Sequence, residues 1–163
     1  MLNKALVIID IQNDITKNYR KIIANINQAI AKATEKNITV IYVRQEYTSD
    51  TMRTFKPNTR GWEFVPELNI VSEHIFTKTK GSILSSESLT EFIKTKGIDE
   101  FYIAGADALA CVKITCNSLR KADYKVTVLA DCITSYAVNK IPEMLEYYAF
   151  KGCAISDSHS FSC

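Results

Sequence analysis

The sequence predicts an α/β fold: a three-layer, doubly wound domain on a mainly parallel six-stranded sheet. Three observations predict it. Strand-like and helix-like segments alternate along the chain, the order that builds βαβ units. The first strand contains Leu6-Val7-Ile8-Ile9, a near-continuous apolar run that suits a parallel strand covered on both faces. Two helix-like segments are followed by glycine, at Gly97 and Gly152, where a C-cap glycine is expected.

Strands are expected near 4–10, 38–43, 74–77, 100–104, 125–130 and 153–156, and helices near 17–36, 85–96, 109–123 and 140–151. The first strand closes on Asp10. The first helix lines up Ile22, Ile23, Ile26, Ile30 and Ala33 on one face. A short apolar strand at His74-Ile75-Phe76-Thr77 ends directly on Lys78. Phe101-Tyr102-Ile103-Ala104 is a short apolar run with aromatic and β-branched members, which reads as a buried strand. Leu109, Val112, Cys116 and Leu119 then recur at helical spacing. Residues 44–73 are irregular, punctuated by Pro57, Gly61 and Pro66; a loop this long inside a compact domain is usually functional or disordered.

At 163 residues the chain suits one domain, 1–163, with room for a sizeable core. Hydrophobic residues make up 47%, an ordinary globular share. A formal net charge of +2, with lysines spread along the chain, gives no footprint for nucleic acid. No apolar run reaches membrane-spanning length and no signal peptide opens the chain, so no membrane partner is expected. Five cysteines at irregular spacing, with no Cys-x-x-Cys pair, fit a cytoplasmic protein with reduced thiols.

Three residues stand just past strand ends that a parallel sheet would bring together, where open α/β sheets build their sites. Cys111 falls in the first turn of a helix, where free N–H groups and the helix dipole favour a thiolate and suit a developing oxyanion. Asp10 closes the first strand. Lys78 closes the third. Each has a plainer reading: a buried core thiol, a turn-forming acid, a solvated lysine. Asp14 reads more simply as a turn or cap residue.

These segments together resemble the isochorismatase-like cysteine hydrolases. The resemblance rests on Asp10-Ile11-Gln12-Asn13-Asp14 after the first strand, and on Lys78, Ser82 and Leu89, with Leu84 at the family's aromatic position. It rests also on Gly105, Cys111, Val112 and Thr115, and on Asp131 after Val126-Thr127-Val128-Leu129. It covers nearly the whole chain, in order. Spacing selects Lys78 over Lys80.

The resemblance implies an Asp10–Lys78–Cys111 triad acting on a small amide, ureide or carbamoyl C–N bond. Asp10 takes the thiol proton, Lys78 favours thiolate and keeps Asp10 ionised, and a thioester forms and is hydrolysed. It implies an oxyanion hole from the N–H groups of Asp107 and Cys111, beside a cis peptide at Ala106–Asp107. Tyr47, Trp62, Leu109 and Tyr136 are expected to wall the substrate pocket, and Arg44 is a lesser candidate for a substrate carboxylate. A small-molecule substrate and a homo-oligomer, dimer or higher, follow from the family, with Phe92, Tyr147, Tyr148 and Phe150 as possible interface residues.

Two departures stand out. Ala108 replaces a common threonine, and Asp107 is unusual at its position. The metal-binding members carry an Asp-x-His pattern after the second strand, whereas this chain reads Tyr42-Val43-Arg44-Gln45-Glu46-Tyr47, with only His74 and His159 elsewhere. No metal and no cofactor are therefore expected. The alternative reading is a catalytically degenerate member that binds a small molecule or acts in an assembly. Redox use of Cys111 is a further possibility, with Cys116 turned away from it on the same helix.

Overall fold

The computed structural model describes residues 3–161. Six parallel strands are ordered β3-β2-β1-β4-β5-β6: β1 (Asn3–Ile9), β2 (Thr39–Gln45), β3 (Ile75–Lys78), β4 (Ile98–Gly105), β5 (Lys125–Ile133) and β6 (Ala154–Ser156). The α-helices are α1 (Ile23–Glu35), α2 (Glu87–Lys96), α3 (Cys111–Lys121) and α4 (Ile141–Phe150). The predicted class and all six strands are present. The chain runs outward from β1 to β3, then crosses back to β4 on the other side of β1. The crevice at the carboxyl ends of β1 and β4 is therefore the switch point, where such sheets place their sites.

Alternation along the strands divides the core in two. Ala5, Val7 and Ile9 pack with Leu89, Ile93, Val112, Leu119, Met144 and Tyr148 from α2, α3 and α4. Leu6 and Ile8 pack with Ile26, Ile30 and Ala33 of α1 and with Phe161 near the C-terminus. A strand buried on both faces must be apolar at successive positions, which is why β1 reads as an unbroken run.

The first helix differs from expectation. A single helix over 17–36 is replaced by a 3-10 turn, Lys17–Lys21, and then α1. Thr16 caps the turn by accepting from the Asn18 N–H, and the Ile22 N–H bonds Tyr19 O, three residues back. Ile22, at φ −116°, breaks the helical path. Gly97 ends α2 in the left-handed conformation, φ 63°.

The long segment 44–73 is ordered by the residues after β1. Gln12 bridges Phe64 in antiparallel fashion. The Asn13 N–H bonds Glu63 O at 2.9 Å, and Asp14 Oδ2 accepts the Phe55 N–H at 2.9 Å. Asp14 is thus a loop anchor rather than a helix cap. Asp131 lies inside β5, and its carboxylate accepts the Ser158 N–H and hydroxyl, which fastens the C-terminal segment.

Candidate active site

Four polar side chains meet at the carboxyl ends of β1, β2, β3 and the loop after β4. Asp10 follows β1 with φ +56°, a left-handed conformation uncommon outside glycine, and its N–H bonds Val43 O. Gln45 and Lys78 are register partners at the ends of β2 and β3. Cys111 opens α3. Gly105 lets the β4 end approach β1: at φ +122°, an added Cβ would stand 2.1 Å from Ile9 O. Past it, the Ala106–Asp107 peptide is cis, as the resemblance implies.

Lys78 is the centre of the arrangement and is 1% exposed. Its Nζ lies 3.1 Å from Asp10 Oδ2, 3.3 Å from Cys111 Sγ and 3.1 Å from Lys80 O, and donates a further hydrogen bond to Gln45 Oε1. Asp10 and Gln45 are each 2% exposed. Asp10 Oδ1 is buried without a hydrogen-bond partner among the described residues. The Cys111 thiol lies 3.9 Å from Gln45 Oε1.

Lys78 acts on both groups with the expected sign, but burial is the larger effect. Burial pushes the Cys111 thiol up to about 12, and the Asp10 charge pushes the same way against the opposing pull of Lys78. Burial likewise raises Asp10 above the usual carboxylate range, with Lys78 opposing. At the thiol, desolvation by burial outweighs the pull of Lys78. The sulfur holds its proton beside a carboxylate more basic than usual.

The N–H groups of Asp107 and Cys111 meet no acceptor among the described residues, whereas neighbouring donors are satisfied: Ala108 N–H by Thr134 O, and Ala110 and Val112 N–H by Asp107 O. The Tyr148 hydroxyl donates to Ala108 O and supports this loop from below. Tyr148 is fully buried and so cannot serve as an interface residue. Ser82 and Thr115 brace the site: Ser82 Oγ pairs with Ser118 Oγ at 2.5 Å, and Thr115 Oγ1 accepts the Ile83 N–H at 3.2 Å.

Of the expected wall residues, Tyr47 packs on the Phe55 ring, with centroids 6.0 Å apart. Burial raises its phenol, Cys111 and Asp10 add to the rise, and Lys78 opposes it. Leu109 and Tyr136 stand exposed on adjacent loops, both bonded through their N–H groups to the Asp107 carboxylate. Trp62 enters through its backbone, its carbonyl accepting from Gln12 Nε2. Its ring lies 3.9 Å from the Arg44 guanidinium, which is thereby occupied by an aromatic face. Gln45 went unremarked as a site residue in the sequence. Its only signal there was a polar residue closing a buried strand, the same signal that marked Asp10.

His74 packs on the Phe92 ring at 4.8 Å, and His159 Nδ1 hydrogen-bonds Gln28 at the C-terminal segment. Among the described residues no group of three or more His, Cys, Asp or Glu side chains is placed to hold a metal ion, and no helix is long and apolar enough to cross a membrane.

Comparison with known proteins bears on the family and the fold. The isochorismatase domain family matches residues 4–160. No curated protein matches the sequence. Among solved structures, N-carbamoylsarcosine amidase from Thermoplasma acidophilum superposes with a TM-score of 0.87 at 19% identity, covering 99% of this chain and 100% of that one. The pyrazinamidase of Pyrococcus horikoshii, in complex with zinc, gives 0.84 at 23% identity, covering 95% and 99%. The nicotinamidase of Bacillus subtilis gives 0.84 at 17% identity, covering 96% and 100%. At these identities the likeness is one of fold.

Proposed function

The chain belongs to the isochorismatase family, and from that premise we propose that it is a metal-independent cysteine hydrolase of small amide, ureide or carbamoyl C–N bonds. The observation that carries this is the Lys78 ammonium, buried and within 3.3 Å of both the Asp10 carboxylate and the Cys111 sulfur.

The resting site is a thiol beside a carboxylate. Asp10 accepts the thiol proton as sulfur attacks the substrate carbonyl carbon. Lys78 offsets the negative charge on whichever group holds it, so the proton moves with little change in net charge. The carbonyl oxygen becomes an oxyanion held by the N–H groups of Asp107 and Cys111. As the C–N bond breaks, Asp10 returns its proton to the departing nitrogen, leaving a thioester on Cys111. Water, deprotonated by Asp10, then attacks the thioester, and the proton returns to sulfur as the acid leaves. Tyr47, Trp62, Leu109 and Tyr136 are proposed to bound the substrate, with no cofactor.

We also propose a homo-oligomer in the cytoplasm. Phe150, 85% exposed on α4, supports an apolar contact between copies. Cys111, Cys116, Cys132 and Cys153 are free thiols, in keeping with a reducing compartment.

The test is a panel of small amides, ureides and carbamoyl compounds assayed for ammonia or amine release, with acid-quenched intact-mass detection of an acyl adduct on Cys111. Turnover that vanishes in Cys111→Ser and survives exhaustive chelation supports the proposal. Turnover that persists in Cys111→Ser, or no release from any member of the panel, defeats it. The second result leaves the binding-protein alternative.

A further inference from the structure

The loop before Cys111 carries a carboxylate that the chemistry above does not use. Asp107 Oδ1 accepts the Leu109 N–H at 2.8 Å, and Oδ2 accepts the Tyr136 N–H at 3.3 Å. These bonds join the loop after β4 to the loop after β5. They fix the carboxylate between two residues expected to wall the pocket. Both of its partners are uncharged. Among the described residues the ion pairs are Lys4–Glu100, Lys78–Asp10 and Lys140–Glu143, so Asp107 has no cation at ion-pair distance.

Several other charges near the site have contacts of their own. Lys78 is matched by Asp10. Arg44 lies over Trp62, with Glu46 acting on it electrostatically. Lys113 sits 5.0 Å from the Tyr147 ring centre. Lys80 contributes its carbonyl to Lys78, and its residue is exposed. Asp107 is the one charged residue of the loop 106–110, and its carboxylate is a surplus charge there, with no ion-pair partner among the described residues.

Its position makes that surplus consequential. Asp107 also supplies one of the two N–H groups proposed to hold the oxyanion. A fixed negative charge on the same residue opposes a second negative charge developing close by. A positive group on the substrate removes the conflict: it pairs with the carboxylate while the N–H stays free for the oxyanion. Tyr136, bonded to the carboxylate through its backbone and 70% exposed, adds an aromatic residue on the adjoining loop, a side chain suited to a cation.

We infer that Asp107 is a specificity-determining residue that selects substrates carrying an ammonium or guanidinium group, so that the site takes small cationic amides or ureides. This rests on the hydrolase reading of the Asp107–Cys111 segment, yet it is tested without turnover.

The probes are two methanethiosulfonates of similar size, one bearing a quaternary ammonium and one a sulfonate. Their rates of modification of Cys111 in the full chain are followed by peptide mass spectrometry. Each rate is divided by that of the same reagent with a small free thiol. The wild type is expected to prefer the cationic reagent by about tenfold or more, and the preference to shrink at least about threefold when ionic strength rises from about 0.05 to about 0.5 M. Asp107→Asn removes the charge and keeps an acceptor for the Leu109 N–H; its preference is expected to fall at least about threefold. A preference unchanged in Asp107→Asn, or a wild type that favours the anion, overturns the inference. If the variant does not melt cooperatively, the wild-type salt series decides, and a salt-independent ratio overturns it. A protein that shows the preference but hydrolyses nothing in the panel defeats the hydrolase reading alone. An enzyme that turns over amides without the preference defeats only the charge selection.

Discussion

Gln12 holds Gln45 by both of its backbone polar groups: Gln12 Nε2 donates to Gln45 O at 2.9 Å, and Gln12 Oε1 accepts the Gln45 N–H at 2.9 Å. The same Nε2 reaches Trp62 O at 2.8 Å. One buried amide therefore ties the loop after β1 to the end of β2 and to the long segment that follows. Gln45 then offers its own side-chain oxygen to Lys78. The glutamine of the first motif acts through this chain of contacts and makes none with Lys78 or Cys111.

Gln12→Leu keeps the volume and removes all three bonds. The Gln45 N–H and C=O are left buried and unpaired, at about 1–3 kcal/mol for each group. The expected loss is about 2–6 kcal/mol, which at roughly 2–4 °C per kcal/mol for a domain of this size lowers the melting temperature by roughly 4–24 °C. Gln12→Glu turns a buried carboxylate oxygen towards the Gln45 and Trp62 carbonyls and is expected to cost at least as much as Leu. Thermal unfolding checks this, and a Leu variant melting within a degree of wild type would refute the clamp.

Cys111 is expected to alkylate slowly at neutral pH. With the thiol pushed up to about 12, iodoacetamide at pH 7.5 reacts roughly 30-fold more slowly than with an ordinary cysteine, the thiolate deficit being partly offset by greater intrinsic nucleophilicity. Asp10→Asn removes a repelling charge and speeds the reaction; Lys78→Met slows it. The same shift fixes a sign in stability. Between about pH 9 and about 12 the folded thiol keeps its proton while the unfolded one loses it, so this group's stabilisation is complete below about 9 and is lost as pH rises. Denaturant unfolding of Cys111→Ala should therefore decline less steeply than wild type across that window. Alkylation that saturates below pH 9 would contradict both statements.

Much of the fold was legible because its signals are local. Apolar runs of strand length, helical spacing in 109–123 and the glycine after α2 each report on a few neighbouring residues. Asp10, Lys78 and Cys111 were legible because each interrupts or follows an apolar run at a strand's carboxyl end. What stayed hidden depends on depth and on distant partners. Gln45 is uncharged and carries no chemistry until Lys78 is placed beside it. The rise of the Cys111 thiol needs the extent of burial, which spacing does not give. Tyr148 looked like an exposed aromatic of an amphipathic helix, yet its hydroxyl finds Ala108 O and draws the ring inside.

Gly105→Ala is expected to prevent folding or to cost several kcal/mol. The new Cβ would meet Ile9 O at 2.1 Å, backbone against backbone, at a φ that side chains rarely adopt. Relief requires β4 to move from β1 at the point where Asp10 and the Cys111 loop converge. The variant should appear as aggregated or low-melting protein by circular dichroism. Soluble expression with wild-type melting would show that this approach is not required.

Lys78→Met removes the only cation paired with Asp10 among the described residues and leaves a carboxylate in a dry site. Breaking one side of a buried pair typically costs about 3–5 kcal/mol. The cost is pH-dependent, because Asp10 is already raised by burial and loses the group that holds it down. A carboxyl raised in the folded state stabilises below its unfolded value, near 3.8, and that stabilisation is lost as pH rises through the folded value. The deficit of Lys78→Met relative to wild type should therefore be small in mild acid and grow towards neutral pH. Adding Asp10→Asn removes the stranded charge, so the double variant should be more stable at neutral pH than Lys78→Met alone, a coupling that a double-mutant cycle measures directly. Both variants should lose turnover by at least about 100-fold if Asp10 is the proton carrier. Urea unfolding of all four proteins at pH 5 and pH 8 separates the two roles of the pair. A deficit for Lys78→Met that is equal at both pH values, with no recovery in the double variant, would mean that the lysine supports the fold by packing and that its charge is not what Asp10 requires.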